Sequence, residues 1–586
     1  MKKTVTKILS VIIVIALSLC VFLSCESAPD DSSSSGDKQS DATTDGTTAD
    51  KTDSEKTDVP DGLVENADSL VVSCTEGTSD CFTKENGTLT FSSVSADTVY
   101  SLSGEYNGQI VIDCGDEYKF ELELCGLTLY SGKQSPITVI SGDKVTIVAK
   151  KGTQNYVYDT RETVSDDDET AKKAAIYSVC DLNLEGKGEL VVISENNNGI
   201  HTKDDLKIKN LTLAVTCSDN SLKGNDGVTI SSGTITLISK YGDGIKTTNS
   251  DVSSKGNQKG SVVLSGGTID IYAACDGIDA AYNVEIDSET VLNVYTDRYS
   301  PYSENASNSS AVSVKAARPD MPGRPDGGFG GMTDGNTEKS ETSTKGIKSD
   351  NEIIVSNGTI NINSYDDSLH ANGEIALENG SVSTGNINIY GGTLTLFSKD
   401  DAIHADGTLT VFNGKITVTG SYEGLEGAFV VIKNGDISIV SSDDGINATT
   451  TSGTGIVFDG GNVYVYAGGD GIDSNSRTSY QGVLFAGGNV VIVSTSGGDS
   501  SIDTENGYAY SGGTVLALCP SNGMGNESMN CRNFSAIGTK STMNLQKGQT
   551  LTATVGNSAV ASVVMPCNLS ALVIYLGSSS ATISAK

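Results

Sequence analysis

The chain has no tryptophan in 586 residues, only nine prolines and three histidines, and 39 basic residues against 74 acidic ones. Each scarcity narrows the reading. Without tryptophan, any flat face that stacks on a sugar must come from the 22 tyrosines or 11 phenylalanines. A net charge of −35 argues against nucleic acid, and against an anionic membrane, as a partner of the fold itself. Twelve cysteines are too few for a disulfide scaffold and too scattered for a zinc motif. Cys74 with Cys81 and Cys519 with Cys531 can pair in an oxidising space or remain buried thiols. A helical period is also missing from the body of the chain.

What is present is repetition. The phrase Asp-Asp-Gly-Ile-Asn at Asp443 to Asn447 returns, slightly altered, at Asn198, Asn220, Asp243, Asp276, Asp366, Asp400, Glu423, Asp470 and Asp499, with a weaker copy at Lys345. Its apolar anchors are Ile200, Leu222, Ile245, Ile278, Ile347, Leu369, Ile403, Leu425, Ile446, Ile472 and Ile502. Apart from the long gap between Ile278 and Ile347, the steps are 22, 23, 33, 22, 34, 22, 21, 26 and 30. A unit near 22 residues with insertions in some copies is the mark of a solenoid, in which each coil buries its apolar face only by stacking on the next. Ile137 and Ile176 read as earlier members, which makes roughly 13 coils.

Two more apolar segments accompany each anchor. A Gly-x-Ile-x-Ile phrase precedes it at Gly358, Gly392, Gly414, Gly435 and Gly461, and short strands follow it at Leu409 to Phe412, Val430 to Ile432, Ile456 to Phe458 and Val483 to Phe485. Strict alternation with one buried face, broken by Gly, Asn and Asp turns, predicts three short strands per coil of a parallel β-helix. An antiparallel sandwich would not keep the fixed register.

Residues 1–25 carry Lys2, Lys3 and Lys7 ahead of the apolar run Ile8 to Leu23 and read as a secretory signal, with Cys25 as the candidate lipid-attachment site. Residues 26–60 are polar and have almost nothing to bury, as expected of a tether. This predicts a secreted protein held at the cell surface as a lipoprotein, touching the membrane through the anchor only. Residues 61–135 are expected to form an amino-terminal cap and irregular coils, 136–535 the β-helix with an insertion at about 297–344, and 536–586 a terminal β unit. A monomer is expected.

The repeat also places chemistry in columns. Successive coils stack about 4.8 Å apart, so equivalent positions line up. Two residues before the anchor stand Asp243, Asp276, Asp367, Asp401, Glu423, Asp444 and Asp470. Adjacent negative charges at that spacing repel by about 1 kcal/mol in water and roughly 3 kcal/mol at a protein surface. Calcium, which takes carboxylate oxygens at about 2.3 to 2.6 Å, can bridge neighbouring coils. The candidate ligands are that column together with neighbouring acids: Asp243, Asp276 and Asp279; Asp366 and Asp367; Asp400 and Asp401; Asp443 and Asp444; Asp470 and Asp473. The plain alternative is that Asp-Gly makes a turn whose carboxylate caps backbone amides.

The column just after the anchor runs His201, Lys223, Lys246, Asp279, Lys348, His370, His404, Glu426, Asn447, Asp473 and Asp503. His370 and His404 fall there as a transition-metal pair would, while a histidine donating to Asp406 or Glu426 is the simpler account. On the outward face of the Gly-x-Ile-x-Ile strands stand Tyr272, Tyr464, Tyr466 and Phe397, candidates for stacking on polysaccharide unless another segment covers them.

These residues resemble a known family, the secreted clostridial-type β-helix proteins that bind cellulose and pectate-like acidic sugars. The resemblance rests on Asn198-Gly-Ile-His-Thr-Lys-Asp-Asp-Leu, Lys345-Gly-Ile-Lys-Ser-Asp, Asp401-Ala-Ile-His-Ala-Asp-Gly-Thr-Leu, Tyr422-Glu-Gly-Leu-Glu-Gly and Asp444-Gly-Ile-Asn-Ala, and covers the chain from about Val99 onward. It implies a right-handed parallel β-helix with bound calcium, related in shape to calcium-dependent pectate lyases, and an insertion like the stretch from Arg318 to Phe329. It also implies plant cell-wall polysaccharide as the partner, bound without cleavage. A lyase is the alternative, with Lys246 beside Asp276 and Asp279 as its proton-abstracting base. A passive adhesin or stalk is the third reading.

Overall fold

The computed structural model describes residues 68–163, 172–287, 289–301 and 343–586. The architecture is that of the unit Gly62–Lys586. The signal segment with Cys25, the tether, most of the loop Asp159 to Glu169 and most of the insertion at 297–344 lie outside the described residues. Among the described residues no helix is long and apolar enough to cross a membrane.

Short parallel strands wind into a β-solenoid of about 15 turns. The anchors pair one above another from Ile137 through Ile176, Ile200, Leu222, Ile245 and Ile278. The column continues through Ile347, Leu369, Ile403, Leu425, Ile446 and Ile472. Ile278 pairs with Ile347 directly, so the insertion leaves the stack unbroken. Two coils precede those counted from the repeat, because Leu89 pairs with Ile110 and Ile110 with Ile137. The other two columns keep the same order, as in Ile353, Ile387, Leu409, Val430 and Ile456, and in Ile362, Leu396, Val418, Ile439 and Val465.

The inward side chains of these strands form one continuous core. Every anchor is fully buried, and each aliphatic side chain so removed from water stabilises the stack by about 1.5 to 3 kcal/mol. Close approach explains the glycine before the anchor. A Cβ on Gly445 would lie 2.1 Å from Val465 Cγ1 and 2.5 Å from the Gly471 carbonyl oxygen of the next coil. Gly414 and Gly435, which open the third strand of their coils, have φ of 118° and 121°, so the corner itself needs glycine.

The longer steps are excursions from the corners. Residues 249–260 and the hairpin of Gly373–Ala376 with Val382–Thr384 meet, with the Ser250 amide donating to Glu378 Oε2 and the Glu378 amide donating to Ser250 Oγ, each at 3.0 Å. At one end Val71–Glu76 pairs antiparallel with Thr98–Asn107, and Phe82–Glu85 with Thr88–Ser92. At the other, Leu569–Leu576 pairs antiparallel with the last solenoid strand, Thr514–Pro520, and with Gly538–Leu545. A three-stranded sheet of Ser558–Val564, Thr550–Val555 and Thr582–Ala585 packs with it around a second core. Both ends of the ladder are thereby closed against further pairing. The cysteines of the described residues are free thiols, including Cys74, Cys81, Cys519 and Cys531.

Candidate functional site

The residue two before each anchor carries a hydrogen-bond ladder along the solenoid. The Asn220 amide donates to Asn198 Oδ1 at 3.0 Å, Asp243 to Asn220 Oδ1 at 3.1 Å, Asp276 to Asp243 Oδ1 at 3.0 Å and Lys345 to Asp276 Oδ1 at 2.7 Å. The same link joins Asp401 to Asp367 Oδ1 at 3.0 Å, Glu423 to Asp401 Oδ1 at 3.2 Å and Asp470 to Asp444 Oδ1 at 2.7 Å. One oxygen of Asp243, Asp276, Asp367, Asp401 and Asp444 thus caps a backbone amide of the following coil, as the turn-capping alternative requires, whereas Glu423 accepts from the Asn447 side chain instead. The second oxygen is left for other partners.

Those partners come from the column after the anchor, which stacks in the order read from the repeat, His201 over Lys223, Lys246, Asp279, Lys348, His370, His404, Glu426, Asn447 and Asp473. Along its first half, lysines meet the acids of both columns. Lys246 Nζ lies 2.7 Å from both Asp243 Oδ2 and Asp279 Oδ2, and Lys348 reaches Asp279 Oδ1 at 3.0 Å. Lys345 bridges Asp366 at 2.7 Å and Asp367 at 3.3 Å. Burial opposes the Lys246 charge, but Asp243 and Asp279 outweigh it and hold the ammonium above its usual range. Among the described residues no such cation contacts Asp276. Burial, then Asp243 and Asp279, push it up to about 7.

Histidines follow the lysines. His370 Nδ1 lies 2.7 Å from Asp367 Oδ2, and the His370 and His404 rings stack with centroids 4.5 Å apart. His404 Nδ1 faces Asp401 Oδ2 at 3.0 Å and Glu426 Oε2 at 2.9 Å, and its Nε2 faces Asp406 at 3.2 Å. Three triads of candidate ligands gather here with donor atoms within 4.8 Å of one another: Asp367, His370 and His404; Asp401, His404 and Glu426; Asp366, Asp367 and Asp400.

Past Glu426 the column holds no positive side chain: Asn447, Asp473 and Asp503 follow, beside Glu423, Asp444 and Asp470. The acids there are pushed towards the neutral form. Burial, then Asp401, Glu426 and Asp444, raise Glu423 to about 10. Burial, then Asp443 and Asp473, raise Asp444 to about 8. Burial also takes Asp470 to about 8, with Asp444 and Asp503 adding to it against the Ser500 amide, and Asp473 to about 7, with Asp503 and Asp470 adding. In the midst of them Asn447 Nδ2 donates to Glu423 Oε2 at 3.0 Å, while its Oδ1 is buried and meets no donor. Sequence reasoning missed this atom, because the asparagine reads as one more turn residue.

The aromatic candidates do not form one stack. Tyr272 stacks on Tyr295, a ring the sequence reading passed over, with centroids 5.2 Å apart and planes 8° from parallel. In that column Asn363 separates Tyr295 from Phe397. Tyr464 and Tyr466 pack against the core of the carboxy-terminal unit. A second pair was not foreseen. Tyr390, 48% exposed, stacks on Phe412 with centroids 4.4 Å apart and planes 12° from parallel, and Lys433 stands 5.5 Å over the Phe412 ring. Both rings directly follow a strand of the second column, where a turn polar residue is the usual occupant, and that position was the available signal.

Comparison with known proteins covers the first part of this spine, up to residue 454. A family model described as carbohydrate-binding domain-containing protein matches residues 85–386 and 382–454, more than half of the chain. A protein of that description from Acetivibrio thermocellus (strain ATCC 27405) is 39% identical over 112 residues, which are 19% of this chain and 39% of that protein's length. Among solved structures, a polysaccharide lyase-like protein from C. thermocellum, a gadolinium derivative, is 34% identical over 38% of this chain and 86% of its own, with a TM-score of 0.35.

Proposed function

Because the chain belongs to the family of carbohydrate-binding domain-containing proteins, we propose that it holds plant cell-wall polysaccharide, cellulose or pectate-like acidic sugar, on a calcium-stabilised β-helix at the cell surface. The observation that carries the reading is the change along the acidic spine. From Asp243 to Asp367 lysines neutralise most of the acids, and from Glu423 to Asp503 they do not.

Calcium suits the chemistry of that second stretch, although among the described residues its carboxylates do not converge within 4.8 Å of one another as those of Asp366, Asp367 and Asp400 do. Its donors are all oxygens, as the ion requires. The buried, donorless Oδ1 of Asn447 would gain a partner from a cation, and an unpaired buried polar atom otherwise costs about 1 to 3 kcal/mol. Asp444, Asp470 and Asp473 with Asn447 would hold the ion. When bound, calcium supplies positive charge, both to the stack and to the carboxylates of an acidic sugar. Asp366, Asp367 and Asp400 form a second all-oxygen triad, already partly neutralised by Lys345.

Lys246 supports binding over cleavage. A lyase base must be free to take a proton. Lys246, the one lysine of the sequence pattern suited to that role, is held protonated between two carboxylates. The exposed Tyr390, stacked on the half-buried Phe412 with Lys433 above that ring, offers a flat face and a positive charge to a sugar ring. The apolar signal, Cys25 and the polar tether would carry the solenoid on the outer side of a membrane.

The test is a paired assay. Pectate gel and insoluble cellulose are offered with and without Ca²⁺, while the supernatant is followed for unsaturated uronides. Depletion of protein without product supports the proposal. Release of unsaturated product would establish a lyase, and failure on both polymers would leave a passive stalk.

A further inference from the structure

The histidine pair is a separate matter from the calcium reading. The chain has three histidines, and two of them occupy the same position on adjacent coils. His404 Nδ1 stands 3.0 Å from Asp401 Oδ2 and 2.9 Å from Glu426 Oε2. Three side chains thus meet at one ring nitrogen, bringing two carboxylate oxygens and an imidazole to one point.

His370 supplies the second nitrogen. Its ring lies 13° from parallel to that of His404, and Asp367, 3% exposed, fixes its orientation through Nδ1. The donor sets Asp367, His370, His404 and Asp401, His404, Glu426 share His404, and in each set the donor atoms lie within 4.8 Å of one another. An ion about 2.0 to 2.2 Å from each ligand needs them within roughly 4 Å, which small side-chain rotations provide. The mixture of imidazole nitrogen and carboxylate oxygen suits zinc and its first-row neighbours, whereas calcium takes oxygen.

We propose that His404, Asp401 and Glu426, with His370 stacked beside them, form a binding site for a borderline divalent transition-metal ion, with Zn²⁺ as the type case. The site lies where the lysine-neutralised run of the spine ends and the uncompensated run begins. It therefore fills the point at which the column changes its means of charge balance. The proposal does not depend on calcium or on the polysaccharide.

The experiment uses the full chain, stripped with chelator and titrated with Zn²⁺ by calorimetry and with Co²⁺ by visible absorption, in the presence of excess Ca²⁺. The expected result is one saturable site with the d–d bands of cobalt bound to nitrogen and oxygen. Second-sphere changes at metal sites typically cost 10- to 100-fold in affinity, so loss of a direct ligand in His404→Gln should cost more than about 100-fold. His370→Gln should weaken binding and shift the bands, and His201→Gln, away from the cluster, should leave both unchanged. Absence of heat and of bands in the unaltered protein overturns the site whatever the variants do. Bands that persist in a folded His404→Gln protein, checked by circular dichroism, overturn it equally.

Discussion

The backbone amide of Asp470 donates to Asp444 Oδ1 across adjacent coils at 2.7 Å. The aspartate therefore has two separable roles, one oxygen holding the next coil in register and a negative charge that no lysine or histidine of the column balances. Replacements that keep one role and remove the other tell them apart.

Asp444→Asn keeps an acceptor for the Asp470 amide and deletes the charge. In chelator at pH 9, above the value of about 8 to which Asp444 is raised, the variant should melt above the unaltered protein, and added Ca²⁺ should raise its melting temperature less. Asp444→Ala also removes the acceptor, and the orphaned amide should cost about 1 to 3 kcal/mol in chemical denaturation. Equal loss in both variants would mean that the charge carries no strain.

Stability should fall with rising pH in the absence of divalent cations. Asp444 and Asp470, ordinarily near 3.8, are raised to about 8 in the fold, so the folded chain binds more protons than the unfolded one between those values. Their contribution is intact below the ordinary carboxylate pKa and lost as pH rises through about 8. His201, lowered to about 4 by burial and then by Lys223, works in the opposite sense between that value and 6.5, which makes the range from pH 7 to pH 9 the clean one. Melting curves there should shift downward in chelator and recover with Ca²⁺ most strongly at the alkaline end.

Lys246→Met removes a cation shared by two nearly buried acids, Asp243 and Asp279. Loss of one partner from such a pair costs about 3 kcal/mol or more, so the variant should unfold at lower denaturant. Its behaviour towards pectate should not change, since this lysine holds the stack rather than attacking sugar. A selective loss of pectate turnover with intact stability would revive the lyase.

Aromatic variants should divide by place. Tyr390→Ala should reduce retention on insoluble polysaccharide and leave melting nearly unchanged, because the ring is exposed. Tyr464→Ala should do the reverse, because that side chain packs against the carboxy-terminal core. Tyr272→Ala, which breaks the stack on Tyr295, should show both effects in smaller measure.

The solenoid was legible because its period is written in buried aliphatics. Ile200 to Ile472 pair in the order of the repeat, and so do the charged residues that follow them. Leu89 and Ile110 escaped because their coils lack the Asp-Gly phrase, although the core they enter is the same. The aspartate column was readable as a column, but not its division. Which acids meet lysine and which meet only each other depends on how far a side chain reaches across coils, and a turn-capping oxygen is indistinguishable from a metal ligand in sequence. The covering of Tyr464 and Tyr466 was equally hidden, since it depends on residues 538–586 folding back over the last coils.

The central claim is that divalent cations complete the acidic spine between Glu423 and Asp503. Calorimetric titration of chelator-stripped protein with Ca²⁺, followed by melting of the same samples, tests it most directly. The account predicts saturable heat and a higher melting temperature, both reduced in Asp444→Asn. No heat and an unchanged melting temperature would contradict it.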